Sequence, residues 1–336
     1  MTAISALQCV ERGQFTLDED VTQQLPELKA IQIQTGCDSA GNPVLEKAKN
    51  KITLRYIRDC QYRMKKADVF RFRHLLTHTS GLSYTKFGDL KLSLVERCST
   101  PLLFEPGEGF IYGTGHDWAG IMVERVTGVS LESYIQQHIG GPLKIGSLVF
   151  RISSYPELYR RLVEVSIRKE DSGLQWTPET VWPVDLTENS GGSGAYASLV
   201  DYQKILHSIT ANDGRLLTSQ MVDQIFRPEM SPVVRADVMK ALKIESTNNI
   251  YGGLPKGTDV TYSMGGMVVL EDLPGRRPKG TVHWGGLLNV FFWMDRTTGV
   301  SGIYGSQVFP AGDPTCLGLF AEFESKTYEA LNASEN

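Results

Sequence analysis

The last third of the chain constrains its fold most. Residues 261–270, 288–294 and 300–307 are rich in Val, Ile, Phe, Tyr and Met, and Pro274-Gly275 and Thr297-Thr298-Gly299 punctuate them as turns. Short β-branched and aromatic runs bounded by such turns read as strands, here three antiparallel ones. Residues 314–331 follow as a terminal helix able to cover the sheet. The middle of the chain reads as helical. Asp117 can cap a helix over 118–126 that Thr127-Gly128 ends. Residues 131–139 form a second amphipathic helix closed by Gly140-Gly141-Pro142, and 199–209 and 219–226 are two more. Helices followed by an antiparallel meander argue for an α+β protein, an antiparallel sheet flanked by helices plus a helical domain.

Residues 2–12 are apolar on nearly all sides and stop at Gly13, the pattern of a buried helix. Three stretches are therefore expected: a central buried helix at 1–13, a mainly helical region at 14–235, and strands with a closing helix at 236–336. Residues 34–51 read as a surface loop. Residues 47–73 carry ten Lys and Arg against Asp59 and Asp68, interleaved with Tyr56, Tyr62, Phe70 and Phe72. Such a stretch can bind nucleic acid, but no nucleic-acid motif accompanies it, so a solvated insertion over about 56–72 is the preferred reading.

A net charge of −4 gives no global attraction to nucleic acid or anionic membrane, and neither is expected as a partner. No apolar run approaches the length that spans a bilayer. Cys9, Cys37, Cys60, Cys98 and Cys316 are odd in number and lack C-x-x-C spacing. They read as free thiols in a reducing compartment, so a cytoplasmic protein is expected. No G-x-S-x-G elbow, H-E-x-x-H, P-loop or G-x-G-x-x-G motif is present. His74 and His78 have i,i+4 spacing but no third ligand at useful distance in sequence, and neither metal nor cofactor is expected.

Five stretches carry a family likeness. Residues 74–82 read His-Leu-Leu-Thr-His-Thr-Ser-Gly-Leu, and Pro106-Gly107 leads to Phe110, Tyr112 and Thr114. Asp117-Trp118-Ala119-Gly120 follows, and His283 precedes Trp284-Gly285-Gly286. Gln307 to Asp313 ends the series. Together these resemble, in order, the serine β-lactamase-like proteins, a family that includes class C β-lactamases, related esterases and fungal transesterases. Thr114 and the Asp-Trp-Ala-Gly run are most similar to the fungal, lovastatin-type acyltransferase branch. The resemblance implies a β-lactamase/transpeptidase-like fold and acyl transfer through an acyl-enzyme in secondary metabolism. The substrates it implies are a small-molecule acyl donor, carrier-protein- or CoA-linked, and an alcohol acceptor.

The resemblance makes Tyr112 the proton-transfer tyrosine, and ties His283, Trp284, Gly285 and Gly286 to substrate binding and the oxyanion. Two glycines let a ligand approach a strand backbone, and an N–H at or just after Gly286 is the expected oxyanion donor. Trp284 stands where β-lactamases carry a lysine, which favours a neutral, bulkier acyl substrate. An esterase is the rival within the same chemistry, because water and an alcohol compete for one intermediate.

The family nucleophile and its lysine form S-x-x-K. Thr2 to Gly13 matches the segment that follows it, so the pair is expected six and three residues before Thr2, off the start of this sequence. On that reading the chain is N-terminally truncated, lacks its nucleophile and is expected to be inactive as it stands, or a non-catalytic ligand-binding homologue. The early start and the basic insertion are expected to be gene-prediction artefacts. Ser83-x-x-Lys86 and Ser166-x-x-Lys169 are read as chance matches.

Overall fold

The computed structural model describes residues 1–47, 72–85, 88–169, 173–177 and 185–334. The basic segment at 56–72 lies outside these except for Phe72, the first residue of a helix, so its expected character is not addressed. The chain divides into two compact units, each discontinuous in sequence.

The first unit comprises Met1–Ile139, Thr187–Ala195 and Glu229–Asp237. Helix α1 (Thr2–Glu11) is buried along most of its length, with Ala6, Leu7 and Cys9 fully enclosed, as its all-round apolar sequence requires. It packs against α4 (Gly115–Thr127). The expected loop at 34–51 is instead, over its described part, a hairpin: β1 (Gln32–Cys37) pairs antiparallel with β2 (Pro43–Lys47). Its side chains are mostly exposed, and no apolar alternation marks it in the sequence. Helix α2 (Phe72–Leu76) opens the His-Leu-Leu-Thr-His run and α3 (Leu94–Cys98) starts in a capping box between Ser93 and Glu96. The second amphipathic helix is α5 (Leu131–Ile135), which widens into a π-turn over Gln136–Gly140.

The second unit comprises Gly140–Leu186, Tyr196–Pro228 and Val238–Asn336. Ser166 falls in a strand, β3 (Ser166–Lys169), which pairs with β4 (Gly173–Trp176). Helices α6 (Leu199–Ala211) and α7 (Ser219–Phe226) lie where the apolar period puts them. The sheet has five antiparallel strands rather than three, in the order β5 (Val260–Ser263), β6 (Gly266–Val269), β7 (Val282–Gly286), β8 (Val290–Asp295) and β9 (Val300–Gly305). The 261–270 run is two strands joined at Met264-Gly265. Gly266, at φ +142°, makes this tight turn, since a Cβ there would come within 2.7 Å of the His283 carbonyl. Alternation along β8 buries both faces of the sheet. Phe292 faces Tyr202 of α6, whereas Phe291 and Trp293 pack on Phe320 of α8 (Pro314–Ser334).

The Gln307-to-Asp313 motif is structural. Asn289 binds the Val308 and Pro310 carbonyls at 2.7 and 2.9 Å and accepts the Gly312 and Asp313 N–H groups at 2.8 and 3.0 Å. Asp313 then accepts the Cys316 N–H at the start of α8 and pairs with Arg168. The short β10 (Val308–Phe309) runs parallel to β3. Among the described residues, no helix is long and apolar enough to cross a membrane.

Candidate active-site elements

In the first unit the His-Thr-Ser-Gly-Leu run is a rail on which the Tyr112 segment is laid. The backbone N–H groups of Leu103, Gly107 and Ile111 donate to the carbonyls of Gly81, Thr79 and His78 at 3.0, 2.7 and 3.0 Å. Gly113 and Gly115 lie so close that a Cβ on either would sit 2.1 Å from the Leu82 or Leu75 carbonyl oxygen. His78 adopts φ 56° and its Nδ1 accepts the Gly113 N–H at 3.3 Å, which fixes the residue next to Tyr112. Ser80 is a buried turn residue whose Oγ accepts the Leu82 N–H at 3.4 Å.

Tyr112, held this way, is half-buried among aromatic rings: His78 at 4.6 Å and Tyr84 at 5.5 Å between centroids. His116 lies 4.9 Å beyond His78. Burial pushes His78 well below the ordinary imidazole value and His116 down to about 4, so both rings are neutral near pH 7. Tyr84 is hydrogen-bonded to Tyr112, and burial first, then the charges of Tyr112 and Asp117, push its own phenol well up.

Asp117 does not cap α4. The helix begins two residues earlier, at Gly115, because the glycine's close approach to Leu75 sets the chain direction there. Asp117 is instead fully buried, accepting Ser190 Oγ at 2.5 Å and the Gly192 N–H at 3.1 Å. Ser193 Oγ lies 2.7 Å from Ser190 Oγ. Tyr84 and Ser190 were not singled out by the sequence reading, and Asp117 was read as a helix cap and as part of the Asp-Trp-Ala-Gly run. The signal that could have found them is the aspartate followed by Trp-Ala-Gly, a charge in a run that the fold buries.

In the second unit His283, Trp284, Gly285 and Gly286 occupy β7, the middle strand. The β6 ladder pairs His283 with Met267 and ends there, so Trp284 to Gly286 have a strand neighbour only in β8. Alternation sends Trp284 and Gly286 to one face and His283 and Gly285 to the other. His283 is buried, and that burial, with Arg277 and Arg276 nearby, holds it well below the ordinary value. Trp284 is half-buried, stacked on Tyr251 at 4.8 Å and met edge-on by Tyr262 at 5.1 Å. The two glycines differ. A Cβ on Gly285 would meet the Ile250 carbonyl at 2.6 Å, whereas one on Gly286 would make only ordinary contact, 3.7 Å from Val290. Packing therefore demands Gly285, whereas Gly286 has room for a methyl at ordinary contact distance.

Of the two in-chain S-x-x-K matches, the structure describes both residues only for Ser166 and Lys169, and these do not form a serine–lysine pair. Residues three apart on a strand point to opposite faces roughly 10 Å apart, which separates Ser166 from Lys169. Ser83 is buried with its hydroxyl 2.6 Å from Thr85 Oγ1, and Lys86 lies outside the described residues. Among the described residues no group of three His, Cys, Asp or Glu side chains could hold a metal ion.

The Beta-lactamase family profile matches residues 1–319. The chain belongs to the β-lactamase family. It is 34% identical over 345 residues to the monacolin J acid methylbutanoyltransferase of Aspergillus terreus, spanning 98% of this chain and 79% of that protein. It is 32% identical to the lovastatin esterase of Penicillium rubens, over 99% of this chain and 84% of that one. The solved structure of a simvastatin synthase mutant from Aspergillus terreus superposes with a TM-score of 0.86 at 33% identity, covering 99% of this chain and 79% of the other. The β-lactamase-like fold and the likeness to acyltransferases that the motifs implied are thus confirmed.

Proposed function

We propose that this protein is an acyl-transfer enzyme of secondary metabolism that moves an acyl group from a small-molecule donor to an alcohol. The donor is a carrier-protein- or CoA-linked thioester, and the setting is the cytoplasm. Tyr112 accepts and returns the proton of the reacting hydroxyl. The backbone at Gly286 supplies an oxyanion donor and Trp284 lines the acyl site, with His283 and Gly285 supporting β7 behind them. The observation that carries this reading is the Tyr84–Tyr112 hydrogen bond, which presents the Tyr112 oxygen as a proton acceptor in surroundings of neutral imidazoles. Trp284 stacked on Tyr251 offers aromatic surface rather than a cation, which suits a neutral apolar substrate.

We propose that neither Ser83 nor Ser166 takes the acyl group. Incubating the protein with an acyl thioester and mapping acylated peptides by mass spectrometry tests this; acyl label on either serine would contradict it. The second reading, a ligand-binding homologue without turnover, is favoured by the geometry of those two serines. It predicts saturable thioester binding in calorimetry with no ester or acid formed.

A further inference from the structure

Asp117 is a buried carboxylate with two hydrogen bonds on one oxygen and none on the other. Its Oδ1 takes the Ser190 hydroxyl and the Gly192 N–H, while Oδ2 has no hydrogen-bond partner among the described residues. Oδ2 and the Tyr84 hydroxyl converge on one spot, because a Cβ built on Gly192 would lie 2.7 Å from the first and 3.0 Å from the second. Glycine at 192 is therefore what lets the carboxylate and the phenol share this space. The Tyr84 hydroxyl in turn is bonded to Tyr112.

We propose that Asp117 is a positioning residue for Tyr112 that acts through Tyr84: it fixes the 190–192 turn, and its negative charge keeps the hydroxyl proton on Tyr84, aimed at the Tyr112 oxygen. This rests on Tyr112 being the proton-transfer residue. A hydrogen bond donated to a phenol oxygen favours its phenolate, so the chain Asp117–Tyr84–Tyr112 keeps more of Tyr112 in the deprotonated form that can take a proton, without placing Asp117 on the substrate. Among the described residues, the other ionisable groups that interact with Asp117 are Arg97 and Cys98 of α3 and Tyr84. Burial pushes Asp117 up to about 6, against its bonds to Ser190 and Gly192 and the charge of Arg97, so the carboxylate is ionised above that pH and neutral below it.

The test is carbon NMR titration of the full chain labelled at tyrosine Cζ, with Tyr112→Phe and Tyr84→Phe assigning the two signals. Tyr84→Phe removes the donor and is expected to raise the Tyr112 midpoint by about one pH unit, a tenfold gain in proton affinity. Gly192→Ala, which drives a methyl between Oδ2 and the Tyr84 hydroxyl, is expected to do the same, and the double variant no more than either alone. In Asp117→Asn the Tyr84 signal is expected to begin titrating at lower pH than in the unaltered protein. An unchanged Tyr112 midpoint in Tyr84→Phe, or an unmoved Tyr84 signal in Asp117→Asn, would overturn the proposal even if Gly192→Ala fails to fold. The titration needs no turnover, so an absence of acyl transfer counts against the functional reading and leaves this test intact.

Discussion

On the proposed reading Tyr112 exchanges a proton with the substrate while its oxygen accepts a hydrogen bond from Tyr84, with the His78 ring packed beside it. Removing the phenol oxygen takes away general acid–base assistance, so Tyr112→Phe is expected to lower acyl transfer by roughly 100-fold or more, with kcat falling and KM little changed. Steady-state kinetics, with a melting curve to show that the fold is intact, checks it. The two glycines of β7 give a sharper contrast. Gly285→Ala is expected to destabilise the protein by about 1–3 kcal/mol, the usual cost of overpacking, because its methyl meets the Ile250 carbonyl. Gly286→Ala is expected to melt like the unaltered chain, because its methyl makes only ordinary contact with Val290, but to lose turnover, because it crowds the backbone proposed as oxyanion donor. Denaturant unfolding and kinetics on both variants separate the roles.

At the scale of elements, α8 is held to the sheet by a buried ionic contact as well as by aromatic packing. Glu324 is completely buried and bridges Arg277 at 2.5 and 2.7 Å and Arg276 at 2.8 Å. Arg277, itself fully buried, also lies 5.5 Å over the Phe320 ring. Glu324→Gln strands the Arg277 charge and is expected to cost about 3–5 kcal/mol in urea unfolding. Burial pushes Glu324 up, but Arg277 and Arg276 outweigh it and leave the carboxyl below its ordinary value of 4.5. A depressed folded-state value means the contribution is present above pH 4.5 and fades as the pH falls through the lowered value, so the variant's acid-unfolding limb should be shallower. Elements of this kind were partly legible in the sequence. Helices α6 and α7 follow directly from their apolar period. The five strands appeared as three because β5 and β6 form one unbroken apolar run with its turn hidden at Gly265, and because Gly285 and Gly286 cut short the apolar pattern of β7. The β1–β2 hairpin was missed since its side chains face solvent and carry no alternation to read.

For the whole molecule, the motifs gave family and chemistry, but not the electrostatics that distinguish one member from another. Tyr112 and Trp284 could be picked from local sequence because each sits inside a recognisable run. Asp117 looked like a helix cap, and only the start of α4 at Gly115 shows that it faces Ser190 and the Tyr84 hydroxyl instead. A partner seventy residues away in sequence leaves no local trace. The central claim is that this assembly of parts serves transfer of an acyl group to an alcohol rather than to water. The most direct measurement supplies the protein with a branched short-chain acyl thioester and a bulky apolar alcohol and quantifies ester against free acid by mass spectrometry. The account predicts that ester exceeds acid and that Tyr112→Phe suppresses both; free acid alone, or ester formation that survives Tyr112→Phe at full rate, would contradict it.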